Sequence, residues 1–244
     1  LGVIAGFVIL SFYSVVGGWT LAYAIKSVTG ALASNDPKVL GAAFGTFIAD
    51  PLDVIGFHTA FMVLTLVIVA GGVRHGIERA ARILMPILAL LVIVLAVRAV
   101  TLDGAAKGIA FFLTPDFSKV TWNTVNAALG QAFFSLSLGM GTMITYASYL
   151  NRQVNLPKTA AQVTLLDTGF AVIAGLMILP AVFAFGFDPA AGPGLTFITL
   201  PAVFAQMPAG ALFSFLFFTL LAIAALTSAV SIIEPVVSYL IDER

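Results

Sequence analysis

The sequence contains no cysteine, which excludes disulfides and thiolate metal centres. Charge is scarce as well: 9% of the 244 residues are charged, against about 25% in soluble proteins. Eleven basic and eleven acidic residues cancel to zero and no basic tract gathers, so nucleic acid is not expected as a partner. Histidine occurs only at His58 and His75, each near the end of an apolar run. With no His-Glu-x-x-His motif and no Gly-x-Ser-x-Gly elbow, the chain reads as a non-enzyme. Absent too are an initiator methionine and a charged leader ahead of a cleavage site; Leu1 opens inside an apolar run, as in a fragment of a longer protein.

What is present is apolar surface. Hydrophobic residues make up 61% and the mean hydropathy is +1.11, values that place the chain in a bilayer. The expected fold class is an all-α membrane protein, one partial transmembrane domain over 1–244, with lipid as its solvent. Six runs approach the roughly 20 residues a crossing needs: 1–25, 54–70, 83–102, 125–150, 159–185 and 211–241. Between them, Ser27 to Asp53 reads as a loop with room for one short helix, and 103–124 and 186–210 read as loops, the last carrying the breakers FDPAAGPG. Pro86 is expected in the first turn of its run, where a missing N–H does least harm. Arg74, Arg79 and Arg82 in one short turn, and Arg152 and Lys158 in another, mark the cytoplasmic side.

The run from 125 to 150 organises the rest. Ser135, Ser137, Gly139 and Gly141 fall within seven positions in mid-span. Small residues there fit either a continuous helix packed closely on a neighbour or two half-helices around an opened backbone that lines an enclosed cavity. In the second case the half-helix ends offer N–H groups to a carboxylate and carbonyls to a cation. Asp167 lies about a third of the way into the next run, where a carboxylate facing lipid costs at least about 2.5–3.5 kcal/mol; it must face a cavity or a hydrogen-bonding neighbour. In the last run Ala224, Thr227 and Ser228 stand at i, i+3 and i+4, a small-residue packing face or three neutral oxygens for a hard cation. Ile9, Phe12 and Tyr13 share one face of the first run. Glu234, a second acid within the membrane, receives no role from its position.

GQAFFSLSLGMGTMITYASY resembles the sixth transmembrane helix of the neurotransmitter:sodium symporter family, particularly its bacterial amino-acid transporters. SFYSVVGGWTLAYAIK resembles the third helix, LLAIAALTSAVSIIEP the eighth, and FFLTPDFSKV and LTFITLPAVF the third and fourth extracellular loops. The resemblance implies helices three to eight of a twelve-helix, inverted-repeat bundle, one helix discontinuous, in a cell membrane such as the bacterial inner membrane. It implies sodium-coupled symport of an amino acid by alternating access. Ile9, Tyr13, Phe134, Ser135, Ser137, Gly139, Met140, Ser228 and Ile232 would hold the substrate, with Tyr13 and the opened backbone on its carboxylate and amino ends. The lining is apolar, so a neutral, hydrophobic or aromatic amino acid is expected.

By the same resemblance Ser135 and Asp167 contribute to a first Na⁺ site, and Ala224 (through its carbonyl), Thr227 and Ser228 to a second, each completed by a first helix upstream of Leu1. Most relatives carry asparagine where Asp167 stands, so its charge would replace the chloride that many of them require. Gln131, Phe134, Tyr149 and Asp242 would gate access. Two other readings stay open on the residues: a proton-coupled carrier or channel using Asp167 and Glu234, or a truncated scaffold without transport. No oligomeric state follows from the sequence.

Overall fold

The computed structural model describes residues 2–189 and 194–242. Among them every regular element is helical. α1 (Gly2–Val28), α3 (Pro51–Ala70), α4 (Glu78–Val100), α8 (Leu156–Ala184) and α10 (Gly210–Asp242) are long and apolar enough to cross a membrane, α4 together with the residues from His75. Shorter helices stand between them: α2 (Pro37–Ala49), α5 (Ala105–Leu113), α6 (Trp122–Ser135), α7 (Thr142–Ser148) and α9 (Leu200–Ala205).

Side chains set the helix starts where the sequence placed its breakers. The Asp36 carboxylate accepts from Lys38 N–H at 2.8 Å with Pro37 in the first turn, and Asp50 accepts from Leu52 N–H at 2.9 Å with Pro51 in the first turn. Asp50 also closes α2, so one residue ends a helix and begins the next. Thr121 and Thr124 form a reciprocal capping box at α6.

Three loop and helix boundaries differ from the sequence reading. The 103–124 stretch contains α5, because its apolar face packs on α8: a Cβ at Gly108 would come within 2.6 Å of the Leu179 carbonyl oxygen and Pro180 Cα. The 186–210 stretch contains a π-helical turn, Leu195–Thr199, running into α9, whose Leu200, Ala202 and Val203 are fully buried. Residues 190–193 of its breaker tract lie outside the described residues. The arginine-rich turn is itself wound as a π segment, Val73–Ile77, continuous with α4. Pro86 therefore stands in a helix interior, where its ring removes the hydrogen bond to the Arg82 carbonyl.

The chain divides into two compact units. One gathers the residues up to Ser11, Thr114–Val172 and the residues from Ser231; the other gathers Phe12–Leu113 and Ile173–Val230. The larger has an aromatic core. The Tyr23 ring lies 5.0 Å from Phe218 and 5.1 Å from Phe197, and Phe44 stacks on Phe197 at 5.4 Å. α1 meets α3 at Gly17 and Gly18, where added Cβ atoms would strike the buried Phe61 ring and the backbone of Phe57 and His58. The smaller unit carries α6, α7 and the parts of α1, α8 and α10 that pack on them. In it Gly6 lets α1 approach the Ile232 carbonyl, 3.1 Å from where a Cβ would stand.

Candidate functional site

The crossing between 122 and 148 is broken. α6 ends in a Schellman turn: Leu138 N–H donates to the Phe133 carbonyl at 2.8 Å and Ser137 N–H to the Phe134 carbonyl at 3.1 Å. The left-handed position of that turn, normally glycine, is Ser137 with φ 53°. For a residue with a Cβ this costs about 1–2 kcal/mol, a kind of strain that clusters at functional sites. Gly139 and Gly141 follow at φ 83°, and α7 restarts at Thr142. Six residues, 136–141, thus lie outside both half-helices. The serine and glycine cluster is a chain break, not a packing stripe on a continuous helix.

Ser135 is the last helical residue before the turn, and its hydroxyl reaches across to α8. Ser135 Oγ lies 2.8 Å from both Asp167 Oδ1 and Asp167 Oδ2. The two residues, 32 positions apart, place a hydroxyl and a carboxylate at the mouth of the opened backbone, an all-oxygen donor set of the kind hard cations take. The second set lies in the larger unit. Thr227 Oγ1 donates within reach of the Ile223 carbonyl at 3.1 Å and the Ala224 carbonyl at 3.0 Å, so hydroxyl and carbonyl oxygens sit side by side. Ser228, one residue on, hydrogen-bonds with the Tyr13 hydroxyl. Among the described residues no three His, Cys, Asp or Glu side chains cluster as a transition-metal site would require. The donors present fit Na⁺.

The profile described as SNF: Sodium:neurotransmitter symporter family matches residues 54–244. The chain belongs to that family. An uncharacterised sodium-dependent transporter of Bacillus subtilis (strain 168), YhdH, is 47% identical over 238 residues, covering 98% of this chain and 53% of the relative. One from Haemophilus influenzae is 42% identical over 244 residues, again 98% and 53%. A crystal structure of MhsT in complex with L-phenylalanine superposes with a TM-score of 0.86 at 47% identity, over 99% of this chain and 55% of that one. The chain spans about half the length of the curated relatives it matches. It is a membrane-integral chain of that family, all-helical among the described residues, with one discontinuous helix.

The remaining candidates distribute as follows. Ile9, Phe134, Ser137, Gly139, Met140, Ile232, Gln131, Tyr149 and Asp242 belong with Ser135 and Asp167 to the smaller unit, and Tyr13, Ala224, Thr227 and Ser228 to the larger. Met140 and Ile232 are buried, Ile9 is half-buried, and Gln131 and Phe134 stand exposed on α6. Asp242 closes α10 within reach of Ser238. The structure thus joins Ser135 to Asp167, Tyr13 to Ser228 and Thr227 to Ala224; Gln131 lies in the second half of α6 and Asp242 at the end of α10.

One polar seam escaped the sequence reading. α7 is fastened to α10 by Tyr146 Oη to Ser231 Oγ at 2.9 Å, by Thr142 Oγ1 to the Ser231 carbonyl at 3.2 Å and by Tyr149 Oη to Glu234 Oε1 at 2.8 Å. Glu234 is 5% exposed, so Tyr149 donates to a carboxylate cut off from solvent. The signal was in the spacing: Tyr146 and Tyr149, like Ser231 and Glu234, are three apart, so each pair shares a helix face.

Proposed function

We propose that the full-length protein couples inward sodium flow to symport of a neutral, hydrophobic or aromatic amino acid by alternating access. The observation that carries this reading is the Ser135 hydroxyl held on both oxygens of Asp167 beside an unwound backbone. An isolated carboxylate in hydrocarbon is costly, whereas one beside hydroxyl and carbonyl oxygens binds a small hard cation and is itself compensated by it. Ser135 and Asp167 serve the first Na⁺; the Ala224 carbonyl, Thr227 and Ser228 serve the second. Both sites take further oxygens from the part of the protein upstream of Leu1. Asp167 supplies the negative charge that makes chloride unnecessary.

The substrate class rests on the lining. Ile9, Phe134, Met140 and Ile232 are apolar, Ser137 and Ser228 are neutral, and no charge is present to balance an acidic or basic side chain. MhsT, which shares the fold, was crystallised with L-phenylalanine, a ligand of this class. Tyr13 and the opened backbone at Ser137 to Gly139 hold the carboxylate and amino ends; Gln131 and Phe134 close over the substrate on one side, Tyr149 and Asp242 on the other.

Uptake into proteoliposomes tests the proposal. Asp167→Asn is expected to raise the sodium concentration for half-maximal uptake at least about tenfold and to make uptake chloride-dependent. A unit charge about 4 Å away is worth about 4 kcal/mol at an effective dielectric near 20, and a partly exposed site keeps only a fraction of it. Unchanged sodium and chloride dependence in that variant would remove the charge-compensation argument. Competition led by glutamate or lysine instead of leucine, tryptophan or tyrosine would overturn the substrate class. Wild-type uptake indifferent to sodium and steep in pH would instead favour a proton-coupled carrier built on Asp167 and the buried Glu234.

A further inference from the structure

A pocket of about 130 Å³ lies in the larger unit where α1 ends, α9 passes and α10 begins, away from every residue assigned above. Its walls are mostly apolar, with Leu32, Pro201 and Phe204 buried around it, and Ser27 and Ser214 also line it. We infer that this pocket binds a small apolar molecule carrying a single hydrogen-bond donor, of the size and chemistry of phenol.

The donor requirement follows from the two serines, both at least 97% buried. Ser27 Oγ donates its one proton to the Tyr23 carbonyl at 2.7 Å. The 2.9 Å bond between Ser27 Oγ and Ser214 Oγ must then be donated by Ser214. Both hydroxyl protons are spent, and the oxygens present only acceptor lone pairs. A ligand with an O–H or N–H is matched there; one bearing only an acceptor is not.

Size and dryness follow from the walls. An apolar cavity of about 150 Å³ accommodates benzene, so about 130 Å³ takes one small ring. Water would fill the same space with about four molecules, each needing two to four polar partners, and the side chains of these walls offer only the two serine oxygens. Displacing such poorly held water by an apolar group is favourable.

The test is ligand-detected saturation-transfer NMR on the full-length protein in lipid nanodiscs, with phenol and benzene as probes. Phenol is expected to bind saturably and about fivefold more tightly than benzene, the ratio one neutral hydrogen bond gives. The double variant Ser27→Ala/Ser214→Ala, which removes both acceptors, should bring phenol down to the benzene value and leave benzene unchanged. Ala211→Leu and Ala33→Leu, which fill the pocket from separate walls, should each weaken both probes at least tenfold. A phenol signal that rises linearly with concentration, equal affinity for the two probes, or binding that survives both filling variants would overturn the assignment.

Discussion

Gly18→Ala tests the packing that positions α1, and with it Tyr13. A Cβ at residue 18 would stand 2.7 Å from His58 N, 2.8 Å from Phe57 C and 2.9 Å from Phe57 O. Ordinary contact begins near 3.4 Å, so the clash is about 0.7 Å deep. All three atoms are backbone in the middle of α3 and cannot rotate aside, so the helices must part. A radial gap of that size forfeits about a quarter to a half of the dispersion energy along the contact, and overpacking of this kind costs about 1–3 kcal/mol. Alanine returns about 1 kcal/mol through helix propensity, leaving a net loss of about 0–2 kcal/mol against wild type and about 1–3 kcal/mol against an alanine that meets nothing. Gly45 in α2 is the control, because nothing lies within 4 Å of its Cβ position; Gly45→Ala should be neutral or up to about 1 kcal/mol stabilising. Thermal unfolding of the purified protein, followed by tryptophan fluorescence, reads both. If Gly18→Ala matches or exceeds the stability of Gly45→Ala, α1 and α3 do not cross as closely as described.

Tyr149→Phe removes the hydroxyl that donates to the buried Glu234 and should cost about 1–3 kcal/mol in the same assay, with much of the loss absent when Glu234→Gln is combined with it. Asp116, in the loop between α5 and α6, is held below the usual carboxylate range by the Ser118 hydroxyl and then by Lys119. A carboxyl depressed on folding stabilises the fold above its unfolded value near 3.9, and that contribution is lost as pH falls through the lower folded value. An NMR titration of the Asp116 carboxyl should therefore show a midpoint below 3.9, moving upward in Ser118→Ala.

Sequence and structure divide this protein along a physical line. The membrane class and the breakers at Asp36, Pro37, Asp50 and Pro51 were legible because they depend on local chemistry. The small-residue cluster between Ser135 and Thr142, by contrast, fitted a continuous or a broken helix, and only the family resemblance pointed to the break. Apolar runs partition into lipid, and acidic side chains before proline interrupt them; the left-handed backbone at 137, 139 and 141 that breaks the helix appears only in the structure. α5, α9 and the wound arginine turn were not legible. Their residues read as loop, and only burial against α8, in the Leu200 to Val203 core, or beside the Gly76 approach to the Ile68 carbonyl makes helix the lower-energy form.

The same holds for the site. Asp167 had to have a polar neighbour because hydrocarbon has none to offer, and that much one residue in one run determined. That the neighbour is Ser135, from the end of a different helix, and that Glu234 answers to Tyr149, was decided by how α6, α7, α8 and α10 pack. A sequence records what each side chain requires of its surroundings; the distance between two helices that meets the requirement exists only once both are folded together.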